Sequence, residues 1–255
     1  MTVARTLRMG LSRVSEDEWL QAEFDRVARA VAFDENADAV LILPEAEEAG
    51  REVAALVGVE GGLREAARAC WEDLCILQRN RAGDHVLTGG AVAFPTDWRL
   101  VDKIGLKLTA VHAPIHGYAE QLAAGVDHFF RTLAPGPIYG RSNWFVVASD
   151  VWRYMPVDDP ADRFAHVDAA NVGSTLFLRS ERQTLRRLPQ TDAVLFTIGI
   201  AVKPLGALSS GAVRKIANDI ASTATGEHER RAAPFYAGAL AGYARRRAEE
   251  PTKCC

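Results

Sequence analysis

The chain has 255 residues, of which 48% are hydrophobic and 25% are charged, and this size and composition are typical of a globular protein with one large core. We therefore expect a single domain over residues 1–255. The net charge of −3 and the pI near 6.1 argue against a surface that binds nucleic acid or anionic membranes. No signal peptide or long apolar run is present, so the sequence predicts a cytoplasmic protein.

Three helices are predicted over residues 1–70. The first, Ser15–Val31, begins with a Ser-x-x-Glu capping box ahead of an apolar stripe with helical spacing. A second helix is predicted after Pro44, and a third, shorter one covers Ala66–Ala69. We expect this region to be a helical extension of the domain.

The sequence period then changes to that of β-strands. The first two predicted strands, Asp73–Arg79 and His85–Phe94, are separated by turn residues and form a hairpin. Helical segments follow and end in Tyr118–Leu133, where the apolar residues share one face. The remaining predicted elements are three strands followed by two helices: Asn143–Ser149, Ser174–Gln183, Ala193–Val202, Ala212–Ser222 and Phe235–Arg247.

This order of elements predicts an α+β fold. By analogy, the order matches that of a PAS domain: two hairpin strands, a helical insertion and three more strands. In a PAS domain a five-stranded antiparallel sheet carries ligand-holding helices on one face. In this prediction residues 209–255 form a second helical extension at the C-terminal end.

Several cofactor motifs are absent from the sequence. It contains no G-x-G-x-x-G after a strand, no P-loop and no C-x-x-C-H. Its four cysteines form no cluster that could hold an iron–sulfur centre, and we expect Cys70 and Cys75 to be buried thiols. Its six histidines form no recognised zinc motif. If the chain carries out redox chemistry, its electrons must therefore come from another protein.

Four long motifs carry a resemblance to a known family. They are Phe94–Trp98 (FPTDW), Val111–Tyr118 (VHAPIHGY), Arg141–Trp144 (RSNW) and Leu178–Pro189 (LRSERQTLRRLP). On these motifs the chain resembles, over nearly its whole length, the catalytic subunit of the heme-dependent oxidative N-demethylases. Within the last motif, Glu181–Pro189 is the most specific stretch, because a long, polar, non-repetitive run seldom recurs by chance.

The resemblance implies a PAS fold that holds noncovalent heme b and oxidises a small amine with O₂. It further implies that electrons come from NADPH through a partner reductase subunit that carries flavin and iron–sulfur groups. The chain departs from the family pattern His-x-Pro-Val-Pro, since it has Ile115 and His116 in place of Val and Pro. This change puts the substrate in doubt more than the cofactor.

The resemblance points to His112 as the axial ligand of the heme iron. A neutral imidazole is a common donor to heme iron, and the apolar, Pro-stiffened segment around His112 would hold its geometry. His116 is the alternative ligand, and His166 is a more distant one. A core histidine bonded to a backbone carbonyl is the structural alternative for His112.

Glu181 is the candidate catalytic residue. A carboxylate that faces a heme pocket could bind a protonated amine and lower the cost of burying its charge. We predict that Glu181 lies near the end of a strand, on the same face as Arg179. The alternative is a structural ion pair with Arg179, Arg182 or Arg187.

Arg141 and Arg182 are the candidates for holding the heme propionates, because guanidinium groups pair well with carboxylates. Trp144 and Tyr118 are the aromatic candidates for contact with the cofactor. Surface arginines and core aromatic residues are the respective alternatives.

Three functions follow from this sequence. The first is a heme-dependent monooxygenase that acts on an amine and works with a reductase. A homo-oligomer is compatible with this function. The second is a non-catalytic gas-sensing PAS module, and the third is a biosynthetic heme oxidase with a different substrate on the same scaffold.

Overall fold

A computed structural model describes residues 9–115, 117–223 and 225–249. Within them, seven strands form one antiparallel sheet in the order β1-β5-β6-β7-β3-β4-β2. The strands are β1 (Ser12–Val14), β2 (Val40–Ile42), β3 (Asp73–Arg79), β4 (His85–Ala91), β5 (Ile138–Val147), β6 (Phe177–Arg187) and β7 (Val194–Pro204).

The five predicted strands are confirmed as β3 to β7, and the α+β class is confirmed with them. The hairpin turn between β3 and β4 is also confirmed, and Asn80 closes it by accepting hydrogen bonds from the amides of Ala82 and Asp84 at 3.0 Å. The predicted strand boundaries are less accurate. β5 begins five residues before the predicted Asn143, and β6 begins and ends later than predicted.

The prediction of a five-stranded sheet is wrong in its count. Two strands of three residues, β1 and β2, add to the two edges by pairing with β5 and β4. A run of three residues is too short to show a two-residue period, so the sequence carried no signal for either strand. The N-terminal region is therefore not purely helical.

Helices connect and cover the strands. They are α1 (Arg26–Asp34), α2 (Glu47–Leu56), α3 (Leu63–Ala69), α4 (Leu108–Val111), α5 (Tyr118–Gln121), α6 (Ala123–Thr132), α7 (Pro160–Phe164), α8 (Val172–Thr175), α9 (Ser210–Ala221), α10 (Thr225–Arg230) and α11 (Ala237–Glu249). Short 3-10 turns lie at Ala37–Ala39, Pro44–Ala46, Leu100–Asp102, Leu205–Ala207 and Ala233–Phe235.

The predicted first helix is wrong in its start. Ser15 does donate to Glu18 at 2.8 Å. Residues 15–24, here called the strap, nevertheless form turns and bends and not a helix. The helix begins only after Asp25, whose side chain accepts from the amide of Ala28 at 2.9 Å. Tertiary contacts outweigh the local pattern, because the strap buries Trp19 in the core.

Helices lie on both faces of the sheet, which corrects the prediction that they lie on one. On β3, Leu74 and Ile76 belong to the core cluster that includes helix α3, whereas Cys75 and Leu77 belong to the cluster that includes Phe130 of α6. Alternate residues of a strand point to opposite faces, so each face of the sheet has its own core.

A third core cluster joins α9 and α11 to the end of β5. Val213, Ile220 and Leu240 are fully buried there with Val146. In the part of the chain that the structure describes, none of these helices, nor any other, has the length and apolar character needed to cross a lipid bilayer.

Candidate functional site

A cavity of about 480 Å³ lies between the sheet and helices α4 to α6. This volume is within the range of ligand-binding pockets. One wall is formed by β-strand side chains and includes Cys75, Glu181 and Ile198. The facing wall comes from the helical insertion and includes Leu108, His112 and Tyr118. The strands and the helical insertion that the sequence predicted thus enclose one chamber.

His112 is held in a defined tautomer on the helical wall. It follows α4 directly, and its Nδ1 lies 2.8 Å from the carbonyl oxygen of Leu108. A carbonyl only accepts, so Nδ1 carries the proton and Nε2 is left with its lone pair. Burial lowers the pKa of His112 below its usual value, which also favours the neutral ring. His112 therefore presents a neutral nitrogen donor.

Tyr118 fixes the plane of the His112 ring. The two rings are stacked with centroids 4.5 Å apart and an interplanar angle of 13°. Gly117 precedes Tyr118 with φ = 76°, a left-handed conformation that glycine adopts without strain and that turns the chain into α5. The short path from His112 to Tyr118 through Pro114 and this glycine brings the two rings together.

The Tyr118 hydroxyl is a buried donor on a residue that lines the cavity. The side chain is 4% exposed, and its Oη has no hydrogen-bond partner among the described residues. Burial raises the pKa of Tyr118 to about 12, so the hydroxyl keeps its proton at neutral pH. An unpaired buried hydroxyl is costly, so Tyr118 keeps its place against His112 at some expense in stability.

Glu181 lies in the middle of β6, not at a strand end as predicted, and faces the cavity. Its carboxylate is 7% exposed and accepts from Thr96 Oγ1 at 2.7 Å and from Gln183 Nε2 at 2.8 Å. Each oxygen of a carboxylate can accept a further bond. Glu181 is therefore oriented by two neutral donors and keeps acceptor capacity toward the cavity.

The ion-pair alternative for Glu181 finds no direct support in the geometry. Within residues 9–115, 117–223 and 225–249, no Arg or Lys nitrogen lies within 4.0 Å of its oxygens. Arg179 reaches it only through Thr96, whose Oγ1 accepts from Arg179 Nε at 2.8 Å. Arg187 instead pairs with Asp192 at 2.9 Å.

Arg141 lines the cavity beside Glu181. Its Nε donates to Gln183 Oε1 at 2.8 Å, and Gln183 in turn donates to Glu181. The β5–β6 register places Arg141 opposite Gln183, which explains this contact. Burial lowers the pKa of Arg141 below its usual value, and the nearby Glu181 carboxylate only partly opposes this shift. A cation and an anion therefore share this wall with one amide between them.

Two predicted site residues do not line the cavity. Arg182 points to the opposite face of β6, where it donates to the carbonyl oxygen of Trp19 at 2.8 Å and to that of Glu18. Trp144 packs against the C-terminal core cluster, and Arg231 lies over its ring. The structure therefore brings together His112, Tyr118, Arg141 and Glu181, and it separates Arg182 and Trp144 from them.

The structure describes only one of the two alternative iron ligands. His116 lies outside the described residues. His166 is exposed in the loop between α7 and α8, and it is not among the residues that line the cavity.

The sequence did not single out four residues that complete the site. Thr96 and Asp97 come from the loop after β4, Gln183 from β6 and Arg230 from the end of α10. The two-residue period of a strand could have identified Gln183, because it comes two residues after Glu181. Thr96 and Asp97 lie in the FPTDW motif. Arg230 carried no signal, because helix packing alone brings it to the cavity from far along the chain.

A family model described as haem-dependent oxidative N-demethylase, alpha subunit-like, matches residues 55–236, which is more than half of the chain. The matched range includes His112, Glu181 and Arg230. No curated protein matches the chain. The family description indicates a heme-dependent oxidative activity of the N-demethylase type and a subunit that works with a partner. The sequence resemblance is thus confirmed, and the chain belongs to the family of haem-dependent oxidative N-demethylase alpha subunit-like proteins.

Proposed function

We propose that the cavity binds heme b noncovalently, with His112 Nε2 as the axial ligand of the iron, and that the protein oxidises an amine with O₂. The observation that carries this proposal is the position of His112 on the wall of a large cavity. The hydrogen bond from its Nδ1 to the Leu108 carbonyl would also suit a core histidine, but at the cavity wall it fixes the ring and leaves a neutral nitrogen, which is what an axial imidazole requires.

The cavity lining suits a heme in its polarity. Leu77, Leu87, Val126 and Phe196 provide apolar surface for a macrocycle. Cationic side chains at Arg99, Lys103 and Arg141 line the same cavity and could pair with propionates. Arg141 is our candidate for this role, since its Nε is anchored on Gln183, its Nη1 makes only a long contact of 3.5 Å to the Met9 carbonyl, and its Nη2 has no hydrogen bond among the described residues.

The sheet supports the PAS-like part of the proposal. Helices α4 to α6 come between the second and third of the five central strands in chain order, and they cover the cavity face. This is the element order on which the PAS analogy rests. β1 and β2 are additions at the edges.

Glu181 is our candidate for holding the substrate. It lies on the sheet wall, whereas His112 lies on the helical wall, so the two residues border the cavity from opposite sides. A protonated amine placed there would gain a charge-assisted hydrogen bond and would be oriented by a carboxylate that Thr96 and Gln183 hold in place. The bound heme supplies the oxygen chemistry, and the protein excludes water and positions the amine.

Electrons would come from a partner. The sequence has no dinucleotide motif and no cysteine cluster, and the family description names an alpha subunit. We propose that NADPH is the source and that a reductase with flavin and iron–sulfur groups delivers the electrons. NADPH added to this chain alone should not reduce the iron.

The test of heme binding is His112→Ala, with His166→Ala as the matched control on an exposed loop. The wild-type protein reconstituted with hemin should show a Soret band, and acid–acetone should extract the pigment. His112→Ala should remain folded but bind hemin weakly or with an altered spin state. Added imidazole should partly restore the wild-type spectrum, because it can fill the space that the side chain leaves.

Three results would contradict the proposal in different ways. A wild-type protein without saturable hemin binding would remove heme from this site. A His112→Ala protein with wild-type ferric and ferrous spectra would move ligation to another residue, and His116 would be tested next. A heme-loaded protein that shows no turnover with O₂, a reductase and a panel of amines would favour a gas-sensing module or another oxidation.

A further inference from the structure

A second, smaller chamber of about 80 Å³ adjoins the main cavity. Four residues line both spaces, namely Thr96, Asp97, Phe145 and Arg230. Thr96 is the residue whose hydroxyl donates to Glu181 at 2.7 Å. The small chamber therefore lies beside the proposed amine site, and these four residues form the boundary between the two spaces.

The lining of the small chamber has more cationic than anionic side chains. Arg163, Arg230 and Arg231 line it, and Asp97 is the one carboxylate among its described lining residues. Two nitrogens of each guanidinium are already bonded to Glu227, to Asp158 or to the Trp144 carbonyl. The third nitrogens of Arg230 and Arg231 have no hydrogen bond among the described residues and are suited to an anion.

These arginines are held in place by carboxylates that do not line the chamber. Glu227 accepts from Arg230 Nε at 2.7 Å and from Arg231 Nε at 2.7 Å. Asp158 accepts from Arg163 Nε at 2.9 Å. Anchoring of this kind reduces the entropy that an arginine loses when it binds a ligand, so the remaining N–H groups are organised in advance.

The loop between the two chambers is also fixed. Asp97 has φ = 56°, a left-handed conformation that is strained for a residue other than glycine, and its amide donates to the Tyr154 carbonyl at 2.7 Å. Tyr154 in turn donates its amide to the Pro95 carbonyl at 3.1 Å. These bonds hold Thr96 and Asp97 at the boundary, where both side chains can face a ligand.

We propose that the small chamber binds a carboxylate of the substrate, and that the substrate is an N-alkylated amino acid and not a simple dialkylamine. This inference rests on the proposed function, in which Glu181 holds the amine. The ammonium end of such a molecule would lie near Glu181 and Asp97, and its carboxylate would lie among Arg163, Arg230 and Arg231. A substrate with an ammonium at one end and a carboxylate at the other would thus pair with Glu181 on one side of Thr96 and with the arginines on the other.

The test compares a series of probes on the heme-loaded protein. N-Methylglycine, N-methyl-β-alanine and N-methyl-γ-aminobutyrate place the carboxylate at increasing distance from the amine, and dimethylamine lacks it. Binding is measured by calorimetry and by perturbation of the heme spectrum. At least one acid should bind about 5-fold or more tightly than dimethylamine, as expected for one partly exposed charge-assisted contact.

The variant Arg230→Gln should remove most of this preference, so that the preferred acid and dimethylamine bind with nearly equal affinity. Arg230→Lys should retain part of the preference, because it keeps the charge. The control is Arg64→Gln, an exposed arginine on α3 that lines neither space, and it should behave as the wild type.

The comparison of probes in the wild type needs no variant to fold. If dimethylamine binds in a Glu181-dependent manner but none of the three acids binds more tightly, this inference is wrong and the proposed function stands. If no amine binds at all, the proposed function fails and this inference fails with it. An acid preference that survives in a folded Arg230→Gln protein would show that the carboxylate lies elsewhere.

Discussion

The two faces of strand β6 carry similar residues and do different things. On one face Arg179, Glu181 and Gln183 are joined by hydrogen bonds, and Glu181 and Gln183 line the cavity. On the other face Arg182 bonds to backbone carbonyls of the strap, and Arg186 pairs with Glu16 at 2.7 Å. The comparison shows that charge in a strand is not by itself a sign of function. What distinguishes the faces is whether the polar network borders an open space.

Arg179 differs from Glu181 and Gln183 on the same face, because it is fully buried and donates mainly to backbone carbonyls. Besides Thr96, it donates to the carbonyl oxygens of Phe94, Pro95, Val151 and Trp152 at 2.8 to 3.2 Å. Burial lowers its pKa to about 10, so it stays charged at neutral pH. It ties the loop after β4 to the loop after β5, and the position of Thr96 beside Glu181 depends on it.

The largest expected effect is from Arg179→Met. Removing this side chain leaves several buried carbonyls without a donor, and we expect it to lower the free energy of unfolding by about 3–5 kcal/mol. Arg182→Met, on the other face, should cost about 1–2 kcal/mol, because water can replace some of its contacts. Urea denaturation monitored by circular dichroism measures both. Equal losses would show that the two faces do not differ in this way.

The next prediction separates the faces by function. Glu181→Gln should keep heme content but weaken amine binding by about 10- to 150-fold, which corresponds to one charge-assisted hydrogen bond. Arg182→Gln should leave amine affinity within about 2-fold, since its side chain faces the strap. Titration of the heme spectrum with dimethylamine is the measurement. If Glu181→Gln binds amine normally, the carboxylate has a structural role.

A smaller effect is expected at Thr96, which joins Arg179 to Glu181. Thr96→Val has the same shape but removes the donor to Glu181 and the acceptor for Arg179. We expect a loss of about 1–3 kcal/mol in stability and a several-fold loss in amine affinity. Thr96→Ser keeps the hydroxyl and should restore the affinity. If Thr96→Val binds amine as tightly as the wild type, the hydroxyl does not position Glu181 for the substrate.

The smallest effect concerns Glu72, which lies on the strap side of the sheet. It is 1% exposed, accepts from the amide of Gln21 at 2.9 Å and has no partner for Oε2 among the described residues. Burial raises its pKa above the usual 4.5. The contribution of Glu72 to the stability of the folded protein is therefore fully present below pH 4.5, where the side chain is protonated. It is lost as the pH rises through the raised pKa.

Glu72→Gln removes this charge, so it should raise the melting temperature slightly at pH 7 to 8. The difference from the wild type should vanish near pH 4, where both side chains are neutral. Thermal denaturation across this pH range is the measurement. A variant that is less stable than the wild type at pH 8 would show that the buried carboxylate is stabilised by contacts that Gln cannot make.

Much of the fold and part of the site could be predicted from local pattern. The hairpin β3–β4, the three later strands and helices α2 and α3 follow from hydrophobic period and turn residues. The motifs pointed to His112, Tyr118, Arg141 and Glu181, which the structure places around one cavity. The edge strands and the true start of α1 were not predicted, because both depend on pairing and burial against distant residues.

The sequence by itself determined the family and the α+β class, and it supplied candidate residues for the proposed heme and amine sites, because these features depend on motifs and on short-range hydrophobic period. Only the tertiary structure decided which face of β6 borders the cavity, and hence that Glu181 lies at the site while Arg182 does not. It also decided that Arg230 joins a second chamber to the first. A two-residue period separates the faces of a strand but does not say what covers each one, and packing of distant helices supplies that answer.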